Sequence, residues 1–211
     1  MLISLLFDNP LLFVSAILAA IIAFTFHEFA HAAAATLLGD DTAKQERRLS
    51  LNPFAHLDVV GFSLLLVSGF GWAKPVPYNP YGLKTRFGGN LLIPLAGPAM
   101  NFVQSIIAAS ALRLFAAASY SPDHFFVQFF GLFLLINLLL GFFNLIPIPP
   151  LDGSRIMLSL FPDRYEESKV HFERSGPFLL ILIIILDASS GFNFFAHFLN
   201  VLSHFVSAFM S

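Results

Sequence analysis

The sequence predicts an all-α, multi-pass membrane protein of about four transmembrane helices, with a small β-rich or re-entrant membrane-associated element after the first. Three observations carry that prediction: the composition, the lengths of the apolar runs and the placement of the basic residues. Of 211 residues, 57% are hydrophobic, 11% are charged and 27 are phenylalanine, too little polar surface to cover a soluble globule. The few basic residues lie scattered among apolar segments, so no footprint for nucleic acid is present. Cysteine is absent, which excludes disulfides and thiolate metal sites.

A helix needs about 20 apolar residues to cross a bilayer core. Residues 11–38 form the first such run, uncharged until Glu28 and stopped by Gly39, Asp40 and Asp41. The preceding "MLISLLFDNP" lacks the basic stretch of a secretory signal, so none is expected. Residues 40–90 are too apolar for a solvated linker. Their "VVGFSLLLVSGFGWAKPVPYNP" mixes β-branched and aromatic residues with Gly and Pro, which favours short extended pieces, shielded because unpaired backbone cannot face lipid.

Residues 91–112 are the second run, entered through "LLIPLAGPAMN" and closed by Arg113. Residues 125–146 are the third, uncharged and broken by the prolines that follow. From Phe178, nine apolar residues lead to Asp187, "ASSG" interrupts, and "FNFFAHFLNVLSHFVSAFM" continues. That pattern fits either one long tilted helix or a short helix followed by an interfacial one. The chain 1–211 is read as a single integral-membrane domain, with its motifs in 20–160 and a C-terminal transmembrane or interfacial segment at 178–211.

Orientation follows from charge. Six of eleven basic residues (Lys44, Arg47, Arg48, Lys74, Lys84, Arg86) lie between the first and second runs, and four (Arg155, Arg164, Lys169, Arg174) between the third and fourth. The positive-inside bias puts both of those loops in the cytoplasm and the N-terminus outside.

Within the first run stands "HEFAH". On a helix, residues four apart share a face, so His27 and His31 can direct two imidazole nitrogens at one point, with Glu28 about 100° around the axis beside it. This is the pattern of a zinc site with two histidine ligands and a glutamate that activates water. Burying three ionisable groups in a membrane is costly unless they are paired, so a surface role is disfavoured. Zinc then needs a third ligand. Asp152 is the best candidate: Pro147, Pro149 and Pro150 end the third helix and force an extended course, and Gly153 permits a tight turn beyond the carboxylate. Its alternative role is to cap a helix beginning at "DGSR".

"HEFAH" paired with "NLIPIPPLDG" resembles the site-2 protease family of intramembrane zinc metalloproteases, whose pattern is HExxH in one helix and N-x-x-P-x-P-x-x-D-G in another. "RRLSLNPFAHLDVVG", "GWAKPVPYNP" and "AGPAMN" resemble further family segments, and the likeness covers about residues 20–160. It implies one Zn2+ held by His27, His31 and Asp152, Glu28 as general base, and a role for Asn144 in holding substrate backbone or stabilising the oxyanion. It further implies cleavage of peptide bonds in or near transmembrane segments of other membrane proteins, in a bacterial or archaeal cell membrane. No loop suits an inserted PDZ or CBS module, so the compact form is expected. A noncatalytic helix-binding relative and a metal transporter or sensor are the competing readings. His56 is expected to order its loop rather than to serve the oxyanion, Asn101 to be packing glue, and Asp58 to support a loop amide or a ligand histidine. The 49–80 region is expected to clamp an unwound substrate by strand addition.

Overall fold

The computed structural model describes residues 2–68, 71–190 and 193–210. Helix α1 (Pro10–Leu37) begins where the Asn9 side chain accepts the Leu12 amide at 3.1 Å and Pro10 occupies the first turn. It ends at Gly39, whose φ of 105° lets the chain reverse while the Gly39 and Asp40 amides return to the Thr36 and Ala35 carbonyls. α1 is apolar all round, but its faces differ in size. Ala16, Ala19, Ala20, Ala23, His27, Ala30 and His31 turn inward, whereas Leu11, Val14 and Leu18 are exposed, as lipid-facing side chains should be.

Small inward residues let two neighbours come close. Helices α3 (Arg86–Ala117) and α4 (Phe125–Asn144) pack against each other and both against α1. Their shared core includes Ala19, Ala23, Ala108, Leu112, Phe133, Leu134 and Leu138. Among the described residues, three helices are long and apolar enough to cross a membrane: Pro10–Leu37, Gly88–Ala117 and Phe125–Asn144.

The expected fourth crossing is not a single helix. α6 (Glu166–Ser190) holds the apolar residues 178–186, and α7 (Phe194–Met210) follows, its Phe194 amide capped by Asp187 at 2.7 Å. α6 rests on the turn after α4, close enough that a Cβ on Gly176 would collide with the Pro149 ring. α7 doubles back along α4. Phe198 meets Phe142 edge-on at 6.1 Å, and Leu202 and Val206 enter the shared core.

Of the β-rich or re-entrant element expected after α1, the β-rich alternative is not what the described residues form. "VVGFSLLLVS" is α2 (Val59–Ser68), and the described residues of this region hold one isolated bridge, Leu57 to Ala73, with no sheet. A lone apolar strand has no partner for its amides, whereas a helix satisfies them internally, and that gain outweighs the strand preference of the β-branched residues. The segment does turn back on itself: a Cβ on Gly61 would collide with the Trp72 carbonyl, so α2 and the returning chain lie in contact. No inserted domain separates the helices among the described residues.

Candidate active site

His27 and His31 stand one turn apart on α1, ring centroids 4.7 Å apart and edge to face. Their Nε2 atoms are 3.1 Å apart, and Asp152 Oδ2 lies 3.2 Å from the first and 3.3 Å from the second. One ligand atom from each residue thus falls within 4.8 Å of the others. All three side chains are almost shut away from the surface.

Asp152 is the first residue of α5 (Asp152–Ser159). The prolines between α4 and α5 direct the chain back under the bundle, and a Cβ on Gly153 would collide with the Leu145 carbonyl. Glycine after the aspartate is therefore required for the carboxylate to reach α1. Burial alone would raise the Asp152 carboxyl; the neighbouring His31 and His27 outweigh it and hold the group below the ordinary carboxylate range.

One face of α3 completes the site. His31 Nδ1–H donates to the Ile93 carbonyl at 2.7 Å, and His27 Nδ1 lies 2.5 Å from Asn101 Oδ1. Between those two, at Gly97, an added Cβ would sit 2.6 Å from His27 Nε2 and closer still to His31 Nε2. Positions 93, 97 and 101 recur every four residues, so a carbonyl, a gap and an amide line one stripe of α3 opposite the two imidazoles.

Glu28 looks the other way, towards the chain that returns from α2. Its Oε2 accepts the Val76 amide at 3.1 Å. That strap is anchored at several points: the Lys74 amide donates to the His56 carbonyl at 2.7 Å, the buried Arg48 guanidinium donates to the Lys74 carbonyl, and the Asn79 amide donates to Asp40 Oδ2 at 2.6 Å. His56 is fully buried and its Nε2 bonds the Ser50 carbonyl at 2.7 Å, the loop-ordering role expected of it. Asp58 accepts the Gly61 amide at 2.8 Å, the start of α2. Tyr78, in the strap itself, has the Arg155 guanidinium 5.9 Å from its ring centre, and burial pushes its hydroxyl pKa up.

A family model for Peptidase family M50 matches residues 113–186. The Bacillus subtilis protein named "Putative zinc metalloprotease YwhC" is 39% identical over 178 residues, covering 81% of this chain and 79% of that one. The chain belongs to Peptidase family M50, the site-2 protease family that its motifs resemble. Two further relatives bear the same description. Rip2 of Mycolicibacterium smegmatis is 26% identical over 193 residues (86% of this chain, 73% of its own), and MJ0611 of Methanocaldococcus jannaschii is 30% identical over 159 (74% and 77%). No solved structure matches. Taken with its apolar helices, M50 membership makes this a multi-pass membrane metalloprotease.

Of the residues singled out in this M50 chain by sequence, His27, His31 and Asp152 are brought together, and Glu28 lies beside them on α1. Asn144 is at the end of α4, where its amide donates to the Leu140 carbonyl of its own helix at 3.0 Å. Asn101, read as packing glue, instead contacts a histidine of the cluster, and Asn137 behind it was not singled out. The available signal was the presence of side-chain amides within the second and third apolar runs, Asn101 and Gln104 in one and Gln128, Asn137 and Asn144 in the other.

Proposed function

We propose that this M50 protein is an intramembrane zinc endopeptidase that hydrolyses peptide bonds in or near transmembrane segments of other membrane proteins. Its centre faces the cytoplasmic side of a bacterial or archaeal cell membrane. The observation that carries the reading is a conflict of lone pairs. His31 gives its Nδ1 proton to a carbonyl, which can only accept, so in the neutral ring a bare Nε2 faces a buried Asp152 oxygen that has no other hydrogen-bond donor. Electron-rich atoms so close need positive charge between them, supplied either by a second proton on an imidazole or by a metal ion that all three can share. Two imidazoles and a carboxylate form a donor set for catalytic zinc, with a fourth position left open. Gly97 keeps α3 from filling that space.

When bound, zinc supplies Lewis-acid polarisation of the scissile carbonyl and brings the pKa of water down towards about 7. The protein's own groups handle the proton. The Val76 amide holds Glu28 Oε2, which orients the carboxylate and leaves Oε1 to accept a proton from the attacking water and return it to the leaving nitrogen. Asn144 is placed to hold substrate backbone once its amide leaves the Leu140 carbonyl. The strap contributes less than a full β-ladder. Lys74 and Val76 turn their amides inward, and Pro75 and Pro77 between and beyond them have none, so the outward edge offers substrate carbonyls without donors.

A cation channel or sensor would want further acidic groups along the bundle, and 88–117 and 125–144 contain none. The test is purified protein in liposomes, with zinc content and cleavage of model transmembrane peptides measured alongside Glu28→Ala and Asp152→Ala. Expected are about one zinc per chain, activity lost in both variants, and zinc kept only in Glu28→Ala. Full cleavage by Glu28→Ala would sink the proposal.

A further inference from the structure

The two imidazoles of the cluster are held by different means. His31 meets a backbone carbonyl directly, but His27 faces Asn101, whose amide could in principle offer either its oxygen or its nitrogen. What lies behind Asn101 removes the ambiguity. Its Nδ2 is 2.8 Å from Asn137 Oδ1, and Asn137 Nδ2 is 2.9 Å from the Phe133 carbonyl, one turn back on α4. Asn101 and Asn137 are both fully buried.

A backbone carbonyl only accepts. Asn137 must therefore turn its NH2 to Phe133 and its oxygen to Asn101. Asn101 must then donate to that oxygen and turn its own oxygen to His27. His27 Nδ1 must carry a proton, and in the neutral ring Nε2 is left with a bare lone pair aimed at Asp152 and His31. We infer that Asn101 and Asn137 are positioning residues: a two-amide relay running from the Phe133 carbonyl on α4, through Asn101 on α3, to His27 on α1 fixes which nitrogen of His27 is free to bind metal. The inference rests on the metal-site reading above and adds to it the mechanism by which one ligand is prepared.

The relay differs from simple interhelical glue in being directional. Glue requires only that the two amides satisfy each other, in either orientation. The relay requires the oxygen of Asn101 to point at the imidazole, so a carboxylate at that position serves and an apolar isostere does not. It also ties His27 to all three long apolar helices, whereas the His31 contact with the Ile93 carbonyl joins α1 to α3.

The experiment uses the full chain in detergent, with two readouts that do not depend on cleavage: the zinc dissociation constant by chelator competition, and 15N-resolved imidazole signals of the zinc-free protein. Wild type should show His27 as the Nδ1–H tautomer. Asn101→Leu should lose that signature and bind zinc about 10- to 100-fold more weakly. Asn101→Asp keeps an acceptor towards His27 but sets its other oxygen against Asn137 Oδ1, so it should keep the wild-type tautomer at a cost in stability, and Asn137→Leu, which frees Asn101 to turn over, should shift both readouts in the direction of Asn101→Leu. Should Asn101→Leu not fold, Asn137→Leu and Asn101→Asp decide the matter alone. The relay is overturned if the leucine variants keep the wild-type tautomer and zinc affinity, however much stability they lose. If wild type itself bound no zinc, the metal-site reading would fail, while the tautomer comparison would still test the relay.

Discussion

The two histidines and the glutamate of "HEFAH" occupy adjacent positions on one helix, yet the regions that hold them have opposite character. His27 and His31 face α3, where a carbonyl, a glycine gap and an amide lie on a helical stripe and every contact is between regular elements. Glu28 faces a strap between Trp72 and Asn79 that has no internal hydrogen-bond ladder and is held by single bonds from Arg48, His56, Asp40 and Glu28 itself. The helical side sets fixed distances, as a metal requires. The strap side can be displaced one bond at a time, as an enzyme needs if a substrate chain is to reach a buried carboxylate.

If this division is real, damage on one side should leave the other intact. Glu28→Gln gives the largest effect: cleavage of a transmembrane peptide should fall by about 10²- to 10⁴-fold, the range for losing a general acid–base group, with zinc content unchanged by metal analysis. Gly97→Ala attacks the other side. Its new methyl meets both imidazoles and cannot rotate away, so zinc affinity should drop and activity fall by about 100-fold even at saturating zinc, read as kcat in a metal titration. Unchanged zinc affinity in Gly97→Ala would mean that α3 does not shape the metal position.

The same division explains what is legible in the sequence. His27, His31 and Asp152 can be read because metal ligation constrains residue type and spacing, and the turn that delivers Asp152 needs prolines and Gly153 in fixed places. The three long apolar helices are legible from length alone. Asn101 and Asn137 are not, because an amide in an apolar helix has the same appearance whether it glues helices or orients a ligand; only the chain of donors back to Phe133 distinguishes them. α2 reads as extended because a ten-residue apolar run has too little periodicity to separate helix from strand. The tail reads equally as one helix or two, since Asp187 could end a helix or, as it does, cap the next from inside the preceding one.

A third variant probes the strap at its contact with Glu28, the proposed general base. Val76→Pro removes the amide that Glu28 accepts, while Val76→Ala keeps it. Cleavage by the proline variant should fall by about tenfold, the equivalent of about 1.4 kcal/mol and near the lower end for a hydrogen bond to a charged group, with zinc binding and the alanine variant near wild type. Faster cleavage by Val76→Pro would instead mark the strap as a restraint that substrate has to remove.

The smallest effect is expected at the strap's far tether. Asp40 accepts from the Thr42 amide and hydroxyl and from the Asn79 amide, so it joins the end of α1 to the strap. Burial would raise its pKa, but those donors prevail and lower it. A carboxylate whose folded pKa lies below its unfolded value contributes stability in full above about pH 4, and that contribution is lost as pH falls through the folded value. Asp40→Asn removes the charge and turns an NH2 towards one of the donors, which should cost about 1 kcal/mol. In a thermal melt of the detergent-solubilised protein, the variant should be less stable than wild type at neutral pH, and the difference should shrink on acidification below about pH 4. Zinc affinity at neutral pH should be unchanged, because the tether acts on Glu28's side of α1 and the ligands answer to α3. A fall in zinc affinity in Asp40→Asn would show that the strap bears on the metal after all.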